Sequence, residues 1–317
     1  MTATPLIRTW RRLGATDPVL TWTGTVMLVV LGLTAVGMVI DPRTIGGAPA
    51  WLKPAKFAAS TAIYSFTLAW LLGWLTDRPR LRRTASRLTA GVFVLEVGLI
   101  SLQAARGVTS HFNGSTPFDR VIYTTMGTAI VVQSMAMLPV VWALFRQTFD
   151  DRSIAWAVRL GLLISVVGAF AGGVMTRPTS EQLAAARHTG EMAIVGAHTV
   201  GAPDGGKGLP ITGWSSEHGD LRVAHFLGLH AMQILPLIAL LPIVRRRTED
   251  VRVRLVSAAA FGYSGLFVML LWQALRGQSL IAPDGTTLLA LVVWAAATVT
   301  IGSRSARAAL VGTRAHA

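Results

Sequence analysis

The stretch Gln103-Ala104-Ala105-Arg106-Gly107 organises this chain, because it returns 170 positions later as Gln273-Ala274-Leu275-Arg276-Gly277. Each copy closes a long apolar run. Residues three apart lie on one face of a helix, so each copy directs an amide and a permanent cation the same way from a helix end. The repeat therefore predicts matching helix ends in two halves of the chain.

The composition is typical of an integral membrane protein. Of 317 residues, 52% are hydrophobic and 14% are charged, whereas soluble domains carry roughly 25% charged residues. Cys is absent from the sequence, which excludes disulfides, thiolate metal sites and thiol nucleophiles. We interpret the net charge of +14 as arginines that hold loops on the cytoplasmic side. A lipid bilayer, and no nucleic acid, is the expected partner.

Eight apolar segments approach the length of about 20 residues that crosses a bilayer. They lie at about 20–40, 55–75, 87–109, 119–145, 154–176, 221–244, 253–276 and 286–303. The predicted fold class is therefore all-α integral membrane, with eight transmembrane helices.

Arginine clusters alternate between these segments and predict the topology. They precede the first segment and follow the second, fourth, sixth and eighth: Arg8, Arg11, Arg12; Arg78, Arg80, Arg82, Arg83, Arg87; Arg146, Arg152; Arg245, Arg246, Arg247, Arg252, Arg254; Arg304, Arg307, Arg314. Because cytoplasmic loops carry an excess of Lys and Arg, we expect both termini on the cytoplasmic side of a bacterial inner membrane.

Two further motifs recur in the same order as the first. A pattern of small residues ending in Pro occupies 32–42 and again 168–178, and an Ala-x-Phe sequence opens at Ala55 and again at Ala224. The collinear matches predict two parallel four-helix repeats, 1–150 and 151–317, related by an axis along the membrane normal. The second repeat carries an extracytoplasmic insertion at about 179–213, which includes a helix-like run at Ser180–Arg187.

Polar groups at membrane depth are costly and by default mark functional sites. They gather towards one end of the predicted bundle. The predicted ligand-binding residues are Lys56, Gln103, Arg106, His111, Arg222, His225, His230, Gln233, Gln273 and Arg276. Helix three supplies one carboxylate, Glu96, about two turns from Arg106. We therefore expect an uncompensated positive charge that holds a small anionic or amphiphilic ligand in the outer leaflet.

Simpler interpretations of these cations and amides stay open. Arg106, Arg276 and Lys56 could extend to the membrane interface. Gln103 and Gln273 could serve as hydrogen bonds between helices.

The histidines also allow several interpretations. His225 and His230 are five residues apart and turned about 140° from each other on a helix, so no shared metal site is predicted. Either could ligate a haem iron, relay protons or donate a structural hydrogen bond. His188, His198 and His218 fall in the insertion or at its end, where a surface position is expected.

The motifs at 103–113 and 219–230 resemble those of a bacterial family of uncharacterised multi-pass membrane proteins, and the resemblance implies no activity. In architecture alone, two parallel four-helix units are similar to haem A synthases. That similarity implies haem as a cofactor and His on several helices of each half, whereas the first half here offers only His111.

Three classes of function are compatible with these observations. The first is a membrane enzyme or cofactor protein whose pocket holds haem, a quinone or a lipid head group. The second is a transporter whose halves rock about a polar path, although the sequence shows no polar stripe that continues to the cytoplasmic end. The third is a non-catalytic sensor or assembly factor. Catalysis and oligomeric state are left open.

Overall fold

The computed structural model describes residues 4–314, with side chains described to Ser305, so Arg307 and Arg314 of the last basic cluster lie outside the described side chains. The helices are α1 (Pro5–Thr16), α2 (Pro18–Ile40), α3 (Leu52–Leu72), α4 (Pro79–Arg106), α5 (Pro117–Arg146), α6 (Arg152–Ala171), α7 (Ser180–Thr189), α8 (Leu221–Leu240), α9 (Pro242–Arg245), α10 (Glu249–Leu275) and α11 (Gly285–Arg314). A short 3₁₀ turn, Gly172–Thr176, continues α6. Two short antiparallel ladders pair β1 (Thr44–Ile45) with β2 (Ala48–Pro49) and β3 (Thr199–Val200) with β4 (Gly219–Asp220).

The all-α membrane class is confirmed. Within the described residues, seven helices are long and apolar enough to cross a membrane, namely α2, α4, α5, α8, α10, α11 and the run that begins with α6. The predicted second segment, α3, is 21 residues long but is not among the seven. It carries Lys53 and Lys56 at its start and is buried along much of its length, because it packs inside the first unit against α2 and α4.

Contacts divide the chain into two compact units. The first runs to Ala143 and includes Arg177–Gly196, and the second comprises Leu144–Thr176 and continues from Ala197. The helix-like run in the insertion is confirmed as α7, which begins with a capping box between Thr179 and Gln182. The two parts of the insertion contact different units.

Aspartates begin several of the long helices. Asp17 ends α1, and its carboxylate accepts from the backbone N–H of Leu20 at the start of α2. Asp151 and Asp220 cap α6 and α8 in the same way. Each carboxylate satisfies backbone donors that have no partner within the helix and complements the positive end of the helix dipole.

Glycines allow the closest helix approach in the second unit. A Cβ at Gly168 of α6 would lie 2.6 Å from the backbone of Gly228 of α8, and one at Gly161 would lie 2.9 Å from the Ala231 carbonyl oxygen. Ser165, between these two glycines, donates to the Leu229 carbonyl at 3.0 Å. Small residues and side-chain hydrogen bonds are the usual basis of tight helix pairs in membranes.

Candidate functional site

The first Gln–Arg motif ties the end of α4 to the start of α5. Gln103 donates to Asp119 at 2.8 Å and Arg106 pairs with the same carboxylate oxygen at 2.5 Å, while Arg106 also donates to the Gln103 amide oxygen. Thr116 donates to the other Asp119 oxygen at 2.6 Å. Gly107 ends α4 in the left-handed region at φ 74°, where a side chain would be strained. We call this network the first clasp.

The second motif forms a matching network, the second clasp, between α10 and α11. Arg276 pairs with Asp284 at 2.6 Å and donates to Thr287 at 3.1 Å. Gln273 donates to the carbonyl six residues further on, as Gln103 does, and Gly277 is left-handed at φ 73°. The hydrogen bond from Arg276, together with those from Thr287, lowers the pKa of Asp284 to about 2.

These pairs overturn the expected uncompensated charge. Arg106 and Arg276 each have an aspartate partner, and Arg222 pairs with the buried Asp220 at 2.6 Å. Asp119 and Asp284 follow their arginines across a loop, and residue spacing on a helix does not predict an ion pair across a loop. Arg106 and Arg276 therefore join two helix ends each, and Arg222 fixes the start of α8 to the loop before it.

The start of α8 is held by the loop that precedes it. Asp220 accepts from Ser215 and from Arg222, whose guanidinium also reaches the Gly213 carbonyl. A Cβ at Gly219 would lie 2.1 Å from the Ala274 carbonyl oxygen, so this position has room for glycine alone. Much of the Gly-Asp-Leu-Arg motif is thus explained by packing and capping.

His225 completes the end of α6. Its Nδ1 lies 2.8 Å from the Gly168 carbonyl oxygen. That carbonyl lacks its usual helical partner, because the Gly172 N–H turns to Ala169 and Phe170 instead. The ring rests against Gly172, where a Cβ would come within 2.8 Å. A proton on Nδ1 leaves Nε2 as an acceptor or ligand.

The other predicted residues are His111, Lys56, His230 and Gln233. His111 contacts Ser110 through Nδ1 at 3.1 Å, and its ring lies 5.6 Å from Phe57. Lys56, His230 and Gln233 are partly buried. The structure therefore groups Gln103 with Arg106, Gln273 with Arg276, and Arg222 with the start of α8, one turn from His225.

A buried stripe runs along α4 from Ser86 to Gln103, and sequence reasoning missed most of it. It consists of Ser86, Thr89, Phe93, Glu96, Ile100 and Gln103, all at most 6% exposed and spaced alternately three and four apart. Ser86 donates to Asp17 at 2.8 Å at one end, and Gln103 joins the first clasp at the other. Four of the six positions are polar, and the apolar Phe93 and Ile100 lie between them. The three-four spacing in the sequence could have revealed the stripe.

The middle of this stripe contains polar atoms without protein partners. Neither carboxylate oxygen of Glu96, which is 2% exposed, accepts a hydrogen bond from any described residue. The hydroxyls of Thr89 and of Ser65 on α3 are likewise buried and unpaired within the described part of the chain. Lys53 attracts Glu96 electrostatically without a hydrogen bond to it.

His198, which the sequence places at the surface, is partly buried and pairs with an aspartate. Its Nδ1 lies 2.6 Å from Asp204, whose carboxylate also accepts from the backbone N–H groups of His198 and Thr199. Burial raises the pKa of Asp204, but these bonds outweigh it and hold that pKa well below its usual range. The pair orders the loop before β4, since the His198 carbonyl accepts from Leu221.

Among the described residues, no group of three or more His, Asp or Glu side chains could hold a metal ion. A small cavity of about 10 Å³ adjoins Asp220, Gln273 and Gln278. No known protein family, curated protein or solved structure matches the chain.

Proposed function

We propose that this multi-pass membrane protein transports protons along the α4 stripe of its first unit, with Glu96 as the proton-carrying group. The observation that carries this proposal is a buried carboxyl group, at the depth of the predicted bilayer, whose two oxygens lack hydrogen bonds from described residues. It favours the transporter class over the anionic pocket, because the Arg side chains assigned to that pocket have Asp partners.

The energetic argument starts from the position of Glu96. It lies ten residues before the end of α4, roughly 15 Å along the helix, in a segment apolar enough to span a bilayer. A carboxylate without hydrogen bonds is far more costly there than a neutral carboxyl group, which loses only its hydrogen bonds to water. Buried groups without protein partners are ordinarily satisfied by water. Water bound at Glu96 would satisfy its carboxyl oxygens and supply the partner with which the group exchanges protons.

The ends of the stripe are closed by stable contacts. Asp17 and Ser86 close one end, and the first clasp closes the other. The titratable groups on helices packed around α4 are Lys53, Lys56 and Tyr64 on α3, and Asp119, Arg120 and Tyr123 at the start of α5; α2 contributes none within Pro18–Ile40. A proton that binds Glu96 from one side leaves to the other side only when the clasp or the Asp17 contact opens.

Proton flux into liposomes tests the transport step. Purified protein is reconstituted with a pH-sensitive dye inside, and a potassium diffusion potential, negative inside, drives uptake. We expect acidification with the unchanged protein and with Glu191→Gln, an exposed carboxyl control, and at least a tenfold slower rate with Glu96→Gln. Flux equal to that of empty vesicles, or unaffected by Glu96→Gln, would overturn the proposal.

A membrane-permeant carbodiimide tests the carboxyl group separately. The neutral acid adds across a C=N bond, its proton passing to nitrogen and its oxygen to carbon, and the adduct rearranges to a stable N-acylurea. Peptide mass analysis should place the label on Glu96, with none after Glu96→Gln. Labelling confined to exposed carboxylates would mean that Glu96 is never a neutral, accessible acid.

One observation favours the cofactor function as a second candidate. A histidine that donates from Nδ1 to a backbone carbonyl has a fixed tautomer and presents Nε2, as metal-ligating histidines do. His225 would thus hold a haem iron through Nε2, or accept a hydrogen bond at Nε2 from the hydroxyl of a reduced quinone, each an amphiphilic ligand. A Soret band in the purified protein that disappears in His225→Ala would favour this function. A colourless protein purified with full haem supply would exclude the haem version.

The proposal includes the topology and the duplication. Cytoplasmic termini in a bacterial inner membrane are supported by the arginine clusters, and reporter fusions at Arg80 and Arg247 test them: activity of a periplasm-only reporter at either position would reverse the orientation.

Two parallel four-helix repeats are supported by the shared bonds of the two clasps. A superposition of helices in inverted rather than parallel order would contradict the duplication.

A further inference from the structure

The first helix is amphipathic and belongs to neither the stripe nor the clasps. Arg8, Arg11 and Arg12 lie on one side of α1, whereas Leu6 and Trp10 lie on the opposite side. Leu6 is 83% exposed, so the apolar side is not covered by the protein along its length. A short helix with this distribution is suited to lie in the interface of a membrane.

The position of α1 is fixed by the start of α2. The Trp10 indole donates to Thr25 at 2.9 Å and packs edge-on against Trp22, with ring centroids 5.4 Å apart. Asp17, which joins the two helices, is 5% exposed and bonds to Ser86 of α4. These contacts hold α1 beside the end of a membrane-spanning helix.

The same contacts bring a second set of cations to this end. Ser86 lies in the second turn of α4, next to Arg82, Arg83 and Arg87. None of these, nor any of the three α1 arginines, pairs with a carboxylate among the described residues. This end contrasts with the clasps, where each arginine has its aspartate.

We propose that α1 and the start of α4 form a docking surface for anionic phospholipids of the adjacent leaflet. The phosphates would contact the arginines, and the apolar side of α1 would insert among the upper acyl chains. Charge complementarity and the exposed apolar side beside it favour a lipid surface over a soluble polyanion, which would leave Leu6 uncovered. This inference does not depend on proton transport.

Native mass spectrometry of the detergent-solubilised protein tests this surface with phosphatidylglycerol and phosphatidylcholine as probes. We expect selective binding of phosphatidylglycerol that weakens with salt. Arg11→Gln with Arg12→Gln should weaken it at least tenfold, since each Arg near an anionic surface contributes. The matched control removes two exposed arginines of the same unit, Arg177 and Arg187, and should bind as the unchanged protein does.

The conservative pair Arg11→Lys with Arg12→Lys should keep most of the binding, which separates charge from loss of fold. Equal binding of both lipids by the unchanged protein, or equal loss in the control pair, would overturn the proposal. So would release of phosphatidylglycerol by RNA at equal phosphate concentration, because the occupant would then be a soluble polyanion.

Discussion

The two clasps use the same residue types with their places exchanged. At the start of α5, Thr116 precedes the helix and Asp119 follows three residues later, whereas at the start of α11 Asp284 comes first and Thr287 follows. Both aspartates neutralise an arginine from the previous helix. They differ in burial: the Asp119 side chain is 3% exposed and that of Asp284 is 35% exposed. The same Gln–Arg motif is therefore neutralised by a buried aspartate in one clasp and by a partly exposed aspartate in the other.

The largest effect on stability is expected when the first clasp is broken. Asp119→Asn removes a charge from a buried network and leaves Arg106 without its partner, so unfolding should become easier by about 3 kcal/mol. Denaturant titration in detergent measures this change. The exchange Thr116→Asp with Asp119→Thr copies the second clasp and should recover at least about 1 kcal/mol of the loss. If Asp119→Asn and Asp284→Asn have equal effects, burial does not explain the difference between the units.

Two glycines that occupy the same place in the repeated small-residue pattern should respond differently. Gly168→Ala inserts a Cβ into the α6–α8 contact and should destabilise the second unit by about 2 kcal/mol. Gly32→Ala meets no described atom within 4 Å and should stabilise α2 by about 0.5 kcal/mol. Melting temperatures of the two variants test this, and a similar loss in both would mean that Gly32 has a contact of its own.

Glu96→Leu should make the protein more stable although it abolishes proton flux. Leu266 occupies the corresponding place in the second half of the predicted repeat. Replacing a buried acid that has no hydrogen bonds removes a desolvation cost, so we expect a gain of about 1–2 kcal/mol. Glu191→Gln, at an exposed position, should leave stability unchanged. A loss of stability in Glu96→Leu would show that the carboxyl group has a structural partner.

The smallest effect is expected from acid titration of the second clasp. Hydrogen bonds from Arg276 lower the pKa of Asp284 to about 2, below its unfolded value near 4. The contribution of this aspartate is therefore complete above about pH 4 and is lost as the pH falls towards 2. Unfolding of the unchanged protein and of Asp284→Asn should differ at neutral pH and converge as the pH falls to about 2. A difference that persists at low pH would contradict the pairing.

Much of the fold follows from local features of the sequence. The long apolar runs, the Gln–Arg–Gly helix ends and the helix in the insertion are visible in residue order, because helix periodicity and termination depend on neighbouring residues. The sequence predicts a membrane span at about 55–75, whereas the structure packs α3 against α2 and α4 inside the first unit and α3 is not among the seven apolar spans. Local composition cannot separate a lipid-facing helix from one packed against its neighbours.

The candidate site was harder to read, because charge pairing depends on residues distant in sequence. The predicted uncompensated charge is wrong for Arg106 and Arg276, whose aspartate partners lie 13 and 8 residues away across a turn. The signal was present, since an acidic residue in the first turn of a helix is a common capping feature. The sequence places Glu96 on a membrane-spanning helix. Whether its carboxyl group has hydrogen-bond partners depends on the neighbouring helices, and the sequence of α4 alone does not contain that information.

The sequence alone determined that this is a multi-pass helical membrane protein with two matching helix ends, because hydrophobic length and helix-stop residues act over a few turns. The tertiary structure decided that the arginines are neutralised, that His225 completes α6, and that Glu96 is buried without hydrogen bonds from the residues described. These properties are sums over all neighbours of a group. A charge is compensated or exposed only once the other helices are in place around it.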